Sequence, residues 1–226
     1  MSFYIGLSLL SNMFCQEEPH REGRRILSSL KGRSIAENEF QIGENGRPFL
    51  NEPCDFSISH SGAMAAVSLV NGENLRTGCD IQIARPMKNA REIAETFFSA
   101  AECGYTCAGG HFDKNRFFEI WTLKECFLKL RGLSVFDMAS TPSFIGSDKK
   151  SRERFIFNEA VSIPVTFFLY GLAGNTGGIY YLAAAAEGRD QAEPEIRWLS
   201  ESFLPCKRIA KIKAAASPAR TVNPKM

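Results

Sequence analysis

Residues 121 to 132, WTLKECFLKLRG, carry Lys124, Glu125 and Lys129 on a segment with helical periodicity. At 100° per residue, Ile120, Leu123, Phe127 and Leu130 form one apolar stripe, which predicts a core-anchored helix over 112–131. Glu125 and Lys129 fall on the other side in the favourable i, i+4 order. Fully exposed, such a pair stabilises a helix by about 0.3 to 0.5 kcal/mol and has no further role. Phe118, Trp121 and Leu128 share that side, however, and a purely solvated face rarely holds so much apolar area. The pattern predicts a helix enclosed on both sides, where a carboxylate needs a cation from Lys129 or from something bound.

Other stretches offer groups that match this chemistry. In RTGCDIQIARP the period of two puts Asp80 and Gln82 on one face of a predicted strand. With Glu125 they form the oxygen-donor set that hard cations such as Mg²⁺ take, phosphate and water completing the shell. The competing reading is a strand-end acid satisfied by backbone N–H groups. DFSISHSG, residues 55 to 62, alternates with Phe56 and Ile58 inward and ends on Ser59, His60, Ser61 and Gly62. That end is either a set of donors for a phosphate oxygen or a turn with a satisfied histidine. It has no G-x-S-x-G frame and no Walker or dinucleotide glycine pattern. NGRPFL sets Arg47 after a glycine turn, with Pro48 fixing the backbone, and HREGRR places Arg24 in a basic cluster at the start of a helix. Arginine suits bidentate phosphate contact.

Several elements must position these residues. Alternation and β-branched or aromatic content predict strands at 3–9, 55–59, 63–70, 78–83, 154–158, 164–170 and 179–186. Helical patterns cover 17–31, 87–98 and 112–131. The polar link NGENLRT divides the chain into an N-terminal lobe over 1–76 and a C-terminal lobe with the metal site over 77–187. Residues 188–226 form an extension. Its part from 205 on holds six Lys or Arg and no acid, which predicts a solvated or disordered tail, and the rest of the chain is mildly acidic.

A chain of 226 residues that is 44% hydrophobic and 23% charged can bury a sizeable core, and the class is α+β. Seven scattered cysteines without a CxxC predict reduced thiols; Cys103, Cys107 and His111 have ligand-like spacing but lack a fourth ligand. No stretch approaches the roughly 20 apolar residues that span a bilayer. The start, MSFYIGLSLLSN, reads as a first strand and not as a signal peptide. A cytoplasmic protein without membrane or nucleic-acid partners is expected.

The order G-R-P, F-S-I-S-H-S-G, G-C-D-I-Q and W-T-L-K-E-C-F-L-K closely resembles the 4′-phosphopantetheinyl transferase superfamily, in its long, surfactin synthetase activator-like form, from about Arg24 to Gly132. The resemblance implies two similar α/β lobes related by a pseudo-twofold, a monomer acting as a pseudo-dimer, with coenzyme A in the cleft between them. A serine of an apo acyl, polyketide or peptidyl carrier protein would attack the β-phosphorus, releasing 3′,5′-adenosine bisphosphate. By motif, Asp80 and Glu125, with Gln82 in the third position, would hold Mg²⁺, and Glu125 would help deprotonate the serine. Lys129 and Lys124 would contact the pyrophosphate, and Arg24, Arg47, Pro48, Ser59 and His60 the rest of the coenzyme. Two departures stand out: Gln82 where an acid is common, and SNMFCQEE where basic residues often precede the Arg24 helix. A Mg²⁺-dependent phosphohydrolase using the same acids, and a non-catalytic coenzyme- or carrier-binding protein, are the competing readings.

Overall fold

Strand β7 (Val165–Ala173) shows how the molecule is layered. Its side chains alternate between two hydrophobic clusters, Phe167 and Leu169 facing one and Phe168, Tyr170 and Leu172 the other. Strand β8 (Ile179–Glu187) does the same with alanines, Ala183 and Ala185 on one side and Ala184 and Ala186 on the other. A sheet buried on both faces needs a covering layer on each of them, here helices on one side and a second sheet on the other. The computed structural model describes residues 2–10, 18–146, 155–157, 161, 163–173, 178–188, 192–199 and 205–214, and has that arrangement.

In chain order the elements are β1 (Phe3–Leu9), α1 (Glu18–Lys31), β2 (Gln41–Ile42), β3 (Pro48–Phe49), β4 (Cys54–Ser61), β5 (Met64–Asn71), β6 (Thr77–Ile83), α2 (Ala90–Phe97), α3 (Ala100–Thr106), α4 (Lys114–Arg131), β7, β8, β9 (Glu195–Trp198) and β10 (Cys206–Ala214). One sheet has the order β4-β5-β1-β9 and the other β10-β7-β8-β6. Helix α1 covers the first sheet through Ile26, Leu27 and Leu30, against Phe56, Val67 and Leu69. Helix α4 covers the second through Phe117, Ile120, Leu123, Phe127 and Leu130. Between the sheets lie Ile5, Leu7, Cys79, Ile81, Phe168 and Leu182. The α+β class holds, and the chain passes from the first sheet to the second between Asn71 and Thr77.

Helix α4 is built as its sequence demands. Asp113 caps it, its side chain accepting from Asn115 N and Arg116 N, and Gly132 ends it in the left-handed region at φ 67°. Phe118 and Leu128 are buried as well as the opposite stripe, so the helix is enclosed on both sides. It lies close on β6 because of Gly78, where an added Cβ would sit 2.4 Å from the Cys126 carbonyl oxygen.

Three expectations differ. Residues 206–214 of the basic end are not a free tail but edge strand β10, antiparallel to β7, with Lys207, Lys211 and Lys213 exposed. Charge on an edge strand keeps it from pairing further. Strand β9 of the same extension runs parallel to β1, so residues after 187 contribute to both sheets. The remainder of the basic tail, 215–226, lies outside the described residues. Helix α3 forms despite Gly104, because Ser99 and Glu102 make a capping box at its start. In the predicted strand at 154–158, the described residues make only an isolated bridge, Phe155 to Ile145. No helix among the described residues is long and apolar enough to cross a membrane.

These packing differences make two glycines opposite in effect. Gly78→Ala forces α4 off β6 and is expected to destabilise the fold by about 2 to 3 kcal/mol. Gly104→Ala, in a helix with nothing within 4 Å, should stabilise it by about 0.5 to 1 kcal/mol. Urea unfolding of both variants checks the pair; equal midpoints would contradict the α4–β6 contact.

Candidate functional site

Strands β4 and β6 meet edge to edge from different sheets, and side chains make up for the ladder they lack. Ser59 Oγ accepts from Ile81 N at 3.2 Å and Ser61 Oγ from Ile83 N at 3.1 Å. The period of two in S-I-S-H-S thus satisfies the free N–H groups of β6. Gly62, at φ 54°, turns the chain from β4 into β5 there. On the other side of β6 stands α4. Where the three elements converge is a cleft of about 390 Å³, walled by residues 45–48 and 56–60, Asp80, Gln82, Glu125, Lys129 and, from α1, His20.

At its floor Asp80 is 1% exposed. Asp80 Oδ1 accepts from Lys129 Nζ at 2.7 Å and from Ser59 Oγ at 2.8 Å, and Lys129 Nζ also donates to Ser59 Oγ at 2.9 Å. Burial works against the Lys129 ammonium, but the surrounding negative groups, led by the Asp80 carboxylate, together outweigh it and raise its pKa above the usual lysine value. The helical pair suggested by the i, i+4 spacing is therefore not the one that forms. Lys129 serves Asp80, and no hydrogen bond or ion pair joins Glu125 to any described residue. Burial, followed by the charge of Asp80, pushes the Glu125 carboxyl up to about 7, against a smaller opposing pull from Lys129.

Gln82 joins the group by its amide nitrogen, which donates to Asp80 Oδ2 at 3.2 Å, while Oε1 faces Ser61 Oγ at 3.4 Å. The carbonyl expected to serve as a metal ligand points away from Asp80 in this arrangement. At the rim, His60 and His20 rings lie 6.1 Å apart, edge to face. Partial burial, then the neighbouring His20 and Lys129, hold His60 below the ordinary imidazole value.

Asp80, Gln82, Glu125, Lys129, Ser59, His60, Arg47 and Pro48 all line the cleft. Two expected residues do not. Lys124 is 1% exposed on the far side of α4 and pairs with the buried Glu102 at 3.2 Å, donating also to Thr141 Oγ1 at 2.7 Å. Burial lowers its pKa despite Glu102. Its position was readable, since it sits four residues after Ile120 and three before Phe127, on the apolar stripe. Arg24 turns from the cleft to Glu37 and stacks over Phe40, 5.3 Å from the ring centroid, and Arg25 is taken by Glu22 and Ser8. The residue that α1 presents is His20, one turn before Arg24, part of the same HREGRR cluster but passed over in favour of the arginines.

Similarity to known proteins takes in the part of the cleft from β6 and α4, with Asp80, Gln82, Glu125 and Lys129. The family model of the 4′-phosphopantetheinyl transferase superfamily matches residues 76–178, from β6 through α4 and β7. The chain is 32% identical over 135 residues to 4′-phosphopantetheinyl transferase AcpT of Salmonella typhi, covering 56% of this chain and 69% of that one. AcpT of Escherichia coli K12 is 35% identical over 132 residues, 54% of this chain and 66% of that one. Against 4′-phosphopantetheinyl transferase Sfp of Bacillus subtilis the identity is 28% over 132 residues, 52% of this chain and 57% of that one.

Glu125 provides a test independent of activity. Its pKa is raised from 4.5 to about 7 in the folded state, so the folded protein binds the extra proton and loses stability as pH rises through that interval. Without divalent cations, Glu125→Gln should match the wild type near pH 4.5 and exceed it at pH 8 by about 1 to 3 kcal/mol, after allowance for partial exposure. Chemical denaturation across pH reads this out; a constant difference between the two pH values would refute it.

Proposed function

The chain belongs to the 4′-phosphopantetheinyl transferase superfamily, and from that premise we propose that the cleft between β4, β6 and α4 takes coenzyme A and passes its phosphopantetheine to a serine of an apo carrier protein. The single observation that carries this reading is Glu125: a half-buried carboxylate beside Asp80, without a partner among the described residues, in the wall of a cleft that also offers Lys129. Two carboxylates that repel one another favour a cation between them. The oxygen donors of Asp80 and Glu125 suit Mg²⁺, which when bound would neutralise charge on the pyrophosphate.

The protein's own groups supply the rest. Lys129 uses two of its three N–H donors on Asp80 and Ser59, leaving the third for a pyrophosphate oxygen. Buried Asp80 holds that ammonium in place, so the charge is pre-oriented before the coenzyme arrives. His60, with His20 opposite, offers ring N–H groups at the rim, and Gly46 to Pro48 form the wall along which the coenzyme lies. In the transfer, the serine Oγ attacks the β-phosphorus in line, Glu125 takes the hydroxyl proton, and the bond to the bridging oxygen breaks as 3′,5′-adenosine bisphosphate leaves. Gln82 keeps Asp80 oriented through its amide N–H and would be a weak metal ligand. Both walls come from one chain, so a monomer suffices. The named relatives are all transferases, which favours transfer over the hydrolytic or non-catalytic readings.

Incubation with coenzyme A, Mg²⁺ and apo carrier proteins should raise the carrier mass by one phosphopantetheine. No mass shift with any of several acyl and peptidyl carriers would sink the proposal. Glu125→Gln and Lys129→Ala should each lower kcat/KM by about 2 to 4 kcal/mol of transition-state stabilisation, measured on folded protein. Near-normal turnover in both would refute the residue roles. Chelation should abolish transfer and added Mg²⁺ restore it; transfer that persists after exhaustive chelation would exclude the metal role of Asp80 and Glu125.

A further inference from the structure

Arg47 stands in the cleft wall as a phosphate ligand would, yet its guanidinium faces inward. Its side chain is 15% exposed. Nη2 donates to Asp55 Oδ2 at 2.6 Å, Phe56 O at 2.9 Å and Thr77 O at 2.8 Å, and Nη1 donates to the carbonyl of Lys129. Nε is buried and has no acceptor among the described residues, and the two Nη groups cannot turn to a ligand in the cleft without breaking the set. The acceptors belong to three elements, one strand from each sheet and one helix: β4, the first residue of β6, and the last turn of α4.

The neighbouring contacts tie the same elements. Asp55 Oδ2 also accepts from Thr77 N at 2.7 Å, and Asn45 Nδ2 donates to Gly132 O at 2.8 Å. The last carbonyls of a helix have no partner within it, and that end carries partial negative charge. The loop at 45–47 supplies both a donor and a positive charge there, capping α4 from outside. Lys129 O belongs to the residue whose ammonium meets Asp80, and Thr77 lies three residues before Asp80 on β6.

We propose that Arg47 is a positioning residue that locks the coenzyme-side loop to α4 and β6, fixing the register in which Lys129 meets Asp80, and that it does not bind a coenzyme phosphate. This rests on the coenzyme A reading given above. A lysine could replace a phosphate ligand but not a planar fork with acceptors on three elements.

The test compares wild type, Arg47→Lys and Arg47→Ala well below their unfolding midpoints. It uses steady-state kinetics with coenzyme A and with 3′-dephospho-coenzyme A, and calorimetric binding of both. A positioning role predicts that both variants lose about tenfold or more in kcat, since small misplacements of catalytic groups are costly. The preference for coenzyme A over its dephospho form should stay within about twofold of wild type, as no phosphate contact is lost. Combining Asp55→Ala with Arg47→Ala should be no worse than Arg47→Ala alone, because the two act as one unit. If Arg47→Lys keeps wild-type kcat while Arg47→Ala loses the preference for the 3′-phosphate, Arg47 is a phosphate ligand and the proposal is overturned. Should Arg47→Ala fail to fold, Arg47→Lys and Asn45→Ala decide, and unchanged kcat in both overturns it. Wild type that neither binds coenzyme A nor modifies any carrier would refute the underlying functional reading instead, an outcome distinct from active variants.

Discussion

One ammonium has two carboxylates within its reach, and it goes to the more deeply buried one. Asp80 is nearly inaccessible, and a buried carboxylate without a cation costs several kcal/mol. Glu125, nearer the cleft, keeps some contact with water and tolerates the lack of a partner by holding its proton more tightly. From that partition follow the features that suit the site to its work: a fixed positive charge with a spare donor, and a carboxyl group that gives up its proton more readily once a cation arrives. Local instability is accepted where a ligand will relieve it.

The scaffold is arranged to enforce this partition. Gly78 lets α4 approach β6 closely enough for Lys129 to reach Asp80. The serines of β4 bind the β6 edge, and Ser59 at the same time touches both members of the ion pair. Buried Lys124 and Glu102 hold the other side of α4, where Glu102 also receives Phe144 N and Ser99 N. A buried pair of this kind is worth little net stability against an apolar alternative, but losing one partner is costly. It pins α4 to α3 and, through Thr141 and Phe144, to the segment after α4, whatever its net contribution.

Much of this was visible in the sequence. The enclosed helix, the shared face of Asp80 and Gln82, the serine and histidine strand end and the order of the motifs all rest on local periodicity, which survives in the fold. The pairings did not follow so directly. Spacing suggested Glu125 with Lys129, and a basic cluster suggested Arg24 at the cleft; all three arginines of that helix, Arg21, Arg24 and Arg25, found acids closer at hand. The basic end looked like a tail because Lys207, Lys211 and Lys213 dominate it, while Ile212 and Ala214, which bury against the second sheet, carry a weaker signal.

The family, the α+β class, the apolar face of each element and the residues able to carry the chemistry can be read along the chain. Those are properties of composition and repeat along one strand or one helix. Who pairs with whom emerges from the packing: Lys129 with Asp80, Lys124 with Glu102, Arg47 with Asp55 and the end of α4. A charge settles on the partner whose burial makes an unpaired state most costly, and burial depends on how separate elements pack, which no local pattern records.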